Sequence, residues 1–233
     1  MATQMSRRCI PYTPFENRLD KAIVALISSA GVHMKSQEPF DLKDERGDCS
    51  FRIIPGDASA SDLMITNPHY DHSDADRDIN TVFPIEILRA LVAAGQLGGV
   101  AEKMIGLIGR STQLKRIQDD TAVKIATEIE RSSANAALLM AGCAISHRTI
   151  CVIQREIELR GISTVLITLK PEESRPLRPP RGLYPIGFHL GHCLGNANAP
   201  ALQNKVLLDA LSLLCENILP GTIVEHKYGE YAE

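Results

Sequence analysis

Continuous apolar runs alternate with amphipathic stretches along this chain, and that alternation predicts strands and helices in turn. Ala22–Ile27 (AIVALI) is apolar at every position and runs into Ser28-Ser29-Ala30-Gly31. This is the pattern of a parallel strand covered on both faces and closed by a glycine turn. Ala136–Met140 (AALLM) repeats it, and Val165–Thr168 reads as another strand. Between them Ile150, Ile153 and Ile157 recur at helical spacing until Gly161, which predicts a helix with one apolar face. Leu114, Ile117, Thr121, Ile125 and Ile129 predict an earlier helix of the same kind. Pro84–Ala94 reads as a helix with Pro84 in its first turn and Gly95 near its end. Met104–Ile108 is a short apolar segment interrupted by Gly106, and Ala201–Leu214 is the last strong helix.

Two stretches break the pattern. Lys35–Asn80 is polar, with a short helix expected at Ala60–Met64, and its later part is expected to be a surface loop. Lys170–Pro185 holds five prolines and three arginines and reads as an irregular basic loop. The β-α repetition around them predicts an α/β fold: a doubly wound, mostly parallel open sheet with flanking helices, in flavodoxin-like or Rossmann-like layers. The expected division is an irregular leader over 1–20, a single α/β domain over 21–217 and a polar tail over 218–233.

Composition narrows the function classes. The 233 residues are 44% hydrophobic and 23% charged, with 25 basic against 28 acidic side chains and a formal charge of -3. That is ordinary globular composition with no basic excess for a phosphate backbone. Tryptophan is absent and aromatics are 4%, so no stacking platform for nucleic acid is visible. No apolar run approaches the roughly 20 residues of a membrane helix. Met1–Asp20 lacks a secretory pattern, which predicts a cytoplasmic, reducing setting for the six cysteines.

The most specific local arrangement is Ala141-Gly142-Cys143-Ala144-Ile145-Ser146-His147-Arg148, between a strand and a helix. In an open parallel sheet, ligands bind outside the carboxyl ends of the strands. A cysteine there, beside a helix amino terminus, is held toward the thiolate. His147 and Arg148 are expected to add charge or donate a proton, with Ser146 as the helix N-cap. The competing reading is a small buried core cysteine. His33, after the first strand, is a candidate for acid–base work or for packing. His69 and His72, with Asp71, Asp74, Asp76 and Asp78, and separately His189, His192 and Cys193, are candidate ligands for a divalent metal; a solvated loop is the alternative for each set. Neither G-x-G-x-x-G nor a P-loop is present.

Several separated stretches carry a resemblance: Val24–Lys35 (VALISSAGVHMK), Phe51–Leu63 (FRIIPGDASASDL), Tyr70–Pro84 (YDHSDADRDINTVFP), Ile85–Leu97 and Leu139–Arg155 (LMAGCAISHRTICVIQR). With these the chain resembles the selenoprotein B subunits of the glycine, sarcosine, betaine and D-proline reductases, most closely the D-proline type. The resemblance implies that Cys143 stands where the family carries selenocysteine, and that it attacks a small amino-acid-like substrate in reductive cleavage of a carbon–heteroatom bond. It also implies a partner subunit bearing a pyruvoyl group and a thiol reductant. The nearby second cysteine of D-proline-type turns is Ser146 here. Sulfur in place of selenium leaves a group less ionised near neutral pH, since an ordinary thiol titrates at about 8.5. A metal-dependent lyase or hydrolase and a non-catalytic binding or assembly subunit are the alternatives. A homo-oligomer is the expected assembly.

Overall fold

Apolar runs long enough for a strand but too short for a helix end up in the middle layer of the protein. The computed structural model describes residues 9–231. Its elements follow in the order β1 (Ile23–Ser28), β2 (Val32–Met34), β3 (Phe51–Pro55), β4 (Leu63–Ile65), α1 (Ser73–Arg77), α2 (Ile85–Ala93), β5 (Gly99–Val100), β6 (Lys103–Leu107), α3 (Leu114–Arg116), α4 (Ala122–Glu130), β7 (Ala136–Met140), α5 (Ser146–Leu159), β8 (Ser163–Ile167), α6 (Pro171–Ser174), β9 (Arg181–Pro185), α7 (Pro200–Ser212) and β10 (Thr222–His226). A π-helical turn, Ile117–Thr121, joins α3 to α4.

The main sheet runs β10-β9-β8-β7-β1-β6-β3, with β5 beside the start of β1. All its pairings are parallel except β3 against β6. Strand β7 is buried at every position, as is β1 after Ile23, because helices cover both faces. Val24, Leu26, Ala136, Leu138 and Met140 pack with α2 and α7. Their alternating neighbours Ala25, Ile27, Ala137 and Leu139 pack with α4 and α5. The fold is doubly wound, as the repeating pattern implies.

The polar stretches are more ordered than their composition suggests. Lys35–Asn80 supplies β3, an antiparallel edge, and β4, which pairs with β2. The helix expected at Ala60–Met64 is a single 3-10 turn over Ala60–Asp62 that passes directly into β4. There Leu63 and Ile65 point inward while Met64 is exposed, a period of two rather than of helix. Within the expected basic loop, Arg181–Pro185 forms β9 between β8 and β10. Arginine and proline hide this strand from a pattern search, yet Arg181 is fully buried.

Both ends of the described segment are tied down. The Thr13 hydroxyl donates to the Glu158 carbonyl at 2.8 Å, and the Thr13 carbonyl accepts from Ser163 Oγ at 2.9 Å and Arg181 Nη2 at 2.7 Å. The Arg181 guanidinium also lies 4.2 Å from the centre of the Tyr12 ring. At the other end the stretch after residue 218, expected as a polar tail, is a correction: it contains β10. Tyr228 beyond it is buried, and Tyr231 stacks on Phe188 at 4.0 Å. No helix among the described residues is long and apolar enough to cross a membrane.

Candidate functional site at the β1–β7 switch point

Strands β1 and β7 are neighbours and parallel, but they hand the chain to opposite layers. The course after β1 leads to α2 on one face, and β7 leads directly to α5 on the other. At such a point, outside the strands' carboxyl ends, open sheets bind their ligands. The turns Ser28–Gly31 and Ala141–Cys143 meet there. They touch: a Cβ on Gly142 would lie 2.4 Å from the Ala30 Cα, so the approach needs a residue without a side chain.

A hydroxyl relay stitches the two turns together. The Gly142 amide donates to Ser29 Oγ at 3.2 Å, Ser29 Oγ donates to Ser146 Oγ at 3.0 Å, and Ser146 Oγ donates to the Cys143 carbonyl at 2.7 Å. Ser146 Oγ also accepts the Cys143 amide at 3.0 Å. This corrects the expected N-cap. Ser146 is the first residue of α5, the cap position belongs to Ile145, and no side chain caps the helix. The Ser146 hydroxyl folds back on the turn because Cys143 offers it both an amide and a carbonyl.

His147 is fully occupied by backbone. Its Nδ1 lies 2.8 Å from the Cys143 carbonyl and 3.0 Å from the Ala144 carbonyl, while Nε2 accepts the Leu169 and Lys170 amides at 3.0 and 3.1 Å. Two carbonyls on one nitrogen and two amides on the other fix the neutral ring with its proton on Nδ1. Burial holds its pKa below the ordinary histidine value, against the opposing pull of these carbonyls and of Glu172 and Glu173. His147 therefore positions the Cys143 turn against the loop after β8, with no ring nitrogen left over for the thiol.

Arg148 and His33 also have their own partners. Arg148 Nε donates to Glu173 at 2.6 Å on the surface. His33 is buried in β2, with Nδ1 2.8 Å from the Met34 carbonyl, Nε2 2.8 Å from Thr66 Oγ1 and its ring edge-on to Phe40. Nδ1 serves its own strand, and Nε2 ties β2 to the residue that follows β4.

A second cysteine and a tyrosine bond the backbone of the two turns. The Cys193 thiol donates to the Ala141 carbonyl at 3.4 Å, two residues before Cys143. The Tyr70 hydroxyl donates to the Ala30 carbonyl at 3.0 Å, in the opposite turn. Burial first, and then charge on Cys193 or Cys143, raises the Tyr70 hydroxyl well above its ordinary value. Burial likewise pushes the Cys193 thiol up to about 12. Gly191 packs on the Tyr70 ring. Cys143 is 1% exposed. Tyr70 escapes a search for reactive residues because it sits in an acidic loop far from the turn in sequence; only the fold brings it there.

The two histidine sets meet without making a metal centre. His192 Nε2 approaches Asp74 at 3.5 Å and its Nδ1 lies 3.1 Å from the Tyr231 hydroxyl. His72 Nδ1 pairs with Asp76 at 2.7 Å, and the His189 and His192 rings are 6.2 Å apart. His69 is lowered by burial and then by Arg110. Among the described residues no three His, Cys, Asp or Glu side chains converge as metal ligands. The donors present do not fit a divalent ion. The six cysteines are free, and Cys151, pushed up to about 12 by burial, belongs to the α4–α5 core. Cavities of about 430 Å³, beside Lys35, Asp78 and Glu86, and about 380 Å³, beside Asp44, Cys49 and Lys124, are not lined by Cys143.

Comparison with known proteins identifies the family. The profile of the family described as glycine/sarcosine/betaine reductase selenoprotein B matches residues 4–142, ending one residue before Cys143. A D-proline reductase subunit gamma from Acetoanaerobium sticklandii is 37% identical over 217 residues, which are 93% of this chain and 88% of the relative. Glycine reductase complex component B gamma subunits from Carboxydothermus hydrogenoformans and Symbiobacterium thermophilum are 24% and 23% identical, covering 85% and 93% of this chain. The chain spans 45% and 51% of their lengths, about half. No solved structure matches. The chain belongs to the glycine/sarcosine/betaine reductase selenoprotein B family and is of its D-proline reductase type.

Proposed function

We propose that this chain is a cysteine-bearing reductase subunit in which Cys143 cleaves a carbon–heteroatom bond of a small amino-acid-like substrate, within a complex that includes a partner subunit. The observation that carries the reading is the location of Cys143: it follows β7 at the switch point, three residues before the amino terminus of the fourteen-residue helix α5. The positive end of the α5 dipole there stabilises negative charge that develops nearby during the reaction. In the step itself the Cys143 thiolate attacks carbon, a carbon–sulfur bond forms, the carbon–heteroatom bond breaks, and the departing heteroatom takes a proton. A pyruvoyl group on a separate subunit would activate the amine of such a substrate. The thioether is then opened reductively at the expense of a thiol reductant.

Substrate reaches the sulfur only when the packing around it opens, since Cys143 is 1% exposed. That burial favours a second reading, a non-catalytic assembly subunit. One experiment separates the two. In the reconstituted complex, Cys143→Ser abolishes reductive cleavage, and substrate protects Cys143 of the native protein from iodoacetamide. Full turnover by Cys143→Ser assigns the chain to assembly instead.

A further inference from the structure

Cys143 and Arg110 each follow a glycine, and the two glycines close on the same pair of serines. Gly142 donates its amide to Ser29 Oγ at 3.2 Å. Gly109, with φ at +66°, is packed so tightly that a Cβ on it would stand 2.6 Å from the Ser29 Cβ and 2.7 Å from the Ser146 Cβ. Only a residue without a side chain lets the end of β6 press on the relay that holds the Cys143 turn. Arg110 leaves this contact partly buried, three residues beyond β6. Its guanidinium has no hydrogen-bond or ion-pair partner among the described residues. We propose that Arg110 and Asn67 form the carboxylate-binding subsite for the amino-acid-like substrate attacked by Cys143. This rests on the reading above and names the group by which that substrate is recognised.

Asn67 supplies the second donor. It packs on the β1 turn, where a Cβ on Gly31 would lie 2.7 Å from the Asn67 Cβ. Gly31 is itself tied to β6, its amide donating to the Leu107 carbonyl at 2.9 Å. Asn67 Oδ1 accepts the His69 amide at 3.1 Å, which orients the carboxamide and leaves Nδ2 as its free end. That nitrogen is buried, in a residue 2% exposed, and has no hydrogen-bond partner among the described residues. Buried donors are nearly always paired in folded proteins. One kept unpaired beside the carboxyl end of β1 calls for an acceptor from outside the chain.

The charge at this place is positive. Burial first, and then the Arg110 cation, lowers the pKa of His69, so the imidazole is neutral and Arg110 is the charge that an incoming group meets. A planar guanidinium binds a carboxylate through two parallel N–H bonds, and the Asn67 amide adds a third donor. In an α-amino-acid-like substrate the carboxylate and the departing heteroatom share one carbon. Holding the carboxylate beside the Cys143 turn therefore orients the bond to be cleaved.

The test uses the full chain and two alkylating reagents. Iodoacetate carries a carboxylate and a leaving group on the carbon that a thiolate attacks, and iodoacetamide has nearly the same shape without the charge. With either reagent the Cys143 sulfur–carbon bond forms, the carbon–iodine bond breaks, iodide leaves, and the thiol proton passes to water. The labelling rate of Cys143 is followed for each reagent by peptide mapping. Taking the ratio of the two rates cancels changes in access that affect both. Arg110→Met is expected to lower the iodoacetate-to-iodoacetamide ratio about tenfold or more, as loss of a charged hydrogen-bonded pair implies, and Arg110→Lys to restore part of it. Asn67→Asp keeps the oxygen that accepts the His69 amide but puts negative charge where the free N–H stood, and it is expected to lower the ratio as well. A native ratio in either Arg110→Met or Asn67→Asp overturns the subsite, as does a Cys143 that neither reagent labels. In the complete complex, Arg110→Met is expected to raise KM about tenfold or more with a smaller change in kcat. If Cys143→Ser is inactive while Arg110→Met keeps the native KM, the subsite is wrong and the function stands. If Cys143→Ser itself turns over normally, the function fails, whatever the labelling ratios show.

Discussion

The hydroxyls of Ser29 and Ser146, 117 positions apart in the chain, lie 3.0 Å from one another between the two turns of the switch point. Through this contact the end of β1 holds the turn that carries Cys143.

Removing the Ser146 hydroxyl therefore leaves the buried Cys143 amide without its side-chain acceptor, while the Cys143 carbonyl keeps His147 Nδ1. Unsatisfied buried polar groups cost about 1–3 kcal/mol each. Ser146→Ala is expected to lower unfolding stability by about 2 kcal/mol in urea titration. A change below a few tenths would show that the relay is incidental.

His147 makes stability depend on pH. Its folded pKa lies below the ordinary 6.5 because the buried ring must stay neutral. A depressed folded value contributes stability that is full above 6.5 and is lost as pH falls below it toward the folded value. The slope of melting temperature against pH between 7 and 5 is expected to be shallower in His147→Gln than in the native protein, at the cost of a lower melting temperature throughout. Parallel slopes would assign the acid sensitivity elsewhere.

Tyr70 bonds the Ala30 carbonyl, and Ala30 packs on Gly142, the residue before Cys143. Tyr70→Ala is expected to raise the iodoacetamide reaction rate of Cys143 roughly tenfold, equivalent to about 1.4 kcal/mol of opening. Tyr70→Phe retains the ring and is expected to change the rate much less. The modified cysteine is identified by peptide mapping, and an unchanged rate in Tyr70→Ala would place the barrier elsewhere.

Arg181 and Glu158 are both buried, their charged atoms 3.9 Å apart beneath residues 12 and 13. Breaking one partner of a buried pair costs about 3–5 kcal/mol, because the other charge stays behind. Arg181→Met is expected to lose that much in denaturant titration, and Arg181→Met with Glu158→Gln to recover part of it. Additive losses would mean that the two groups are not coupled.

Local pattern was enough for the elements that frame the site. Ala136–Met140 reads as a buried strand and is one, and Gly161 follows the end of α5 as the helical spacing implies. The same pattern missed β9, because Arg181 buries its charge against Glu158 and its face against Tyr12 instead of showing an apolar side chain. It also made His147 and His33 look available. Their nitrogens are consumed by carbonyls, amides and a hydroxyl that include Leu169 and Thr66, 22 and 33 residues away.

The doubly wound alternation, the family and a cysteine at a strand-to-helix turn are all legible in neighbouring residues or in residue identities. That Tyr70 meets Ala30, that Cys193 meets Ala141 and that Ser146 and His147 brace the Cys143 turn follows from the packing of distant segments. Periodicity dictates which side of an element is apolar, but which loops meet follows from strand order. Strand order is settled when whole layers pack, by contacts such as Cys193 with Ala141 and Ser29 with Ser146 that join distant parts of the chain.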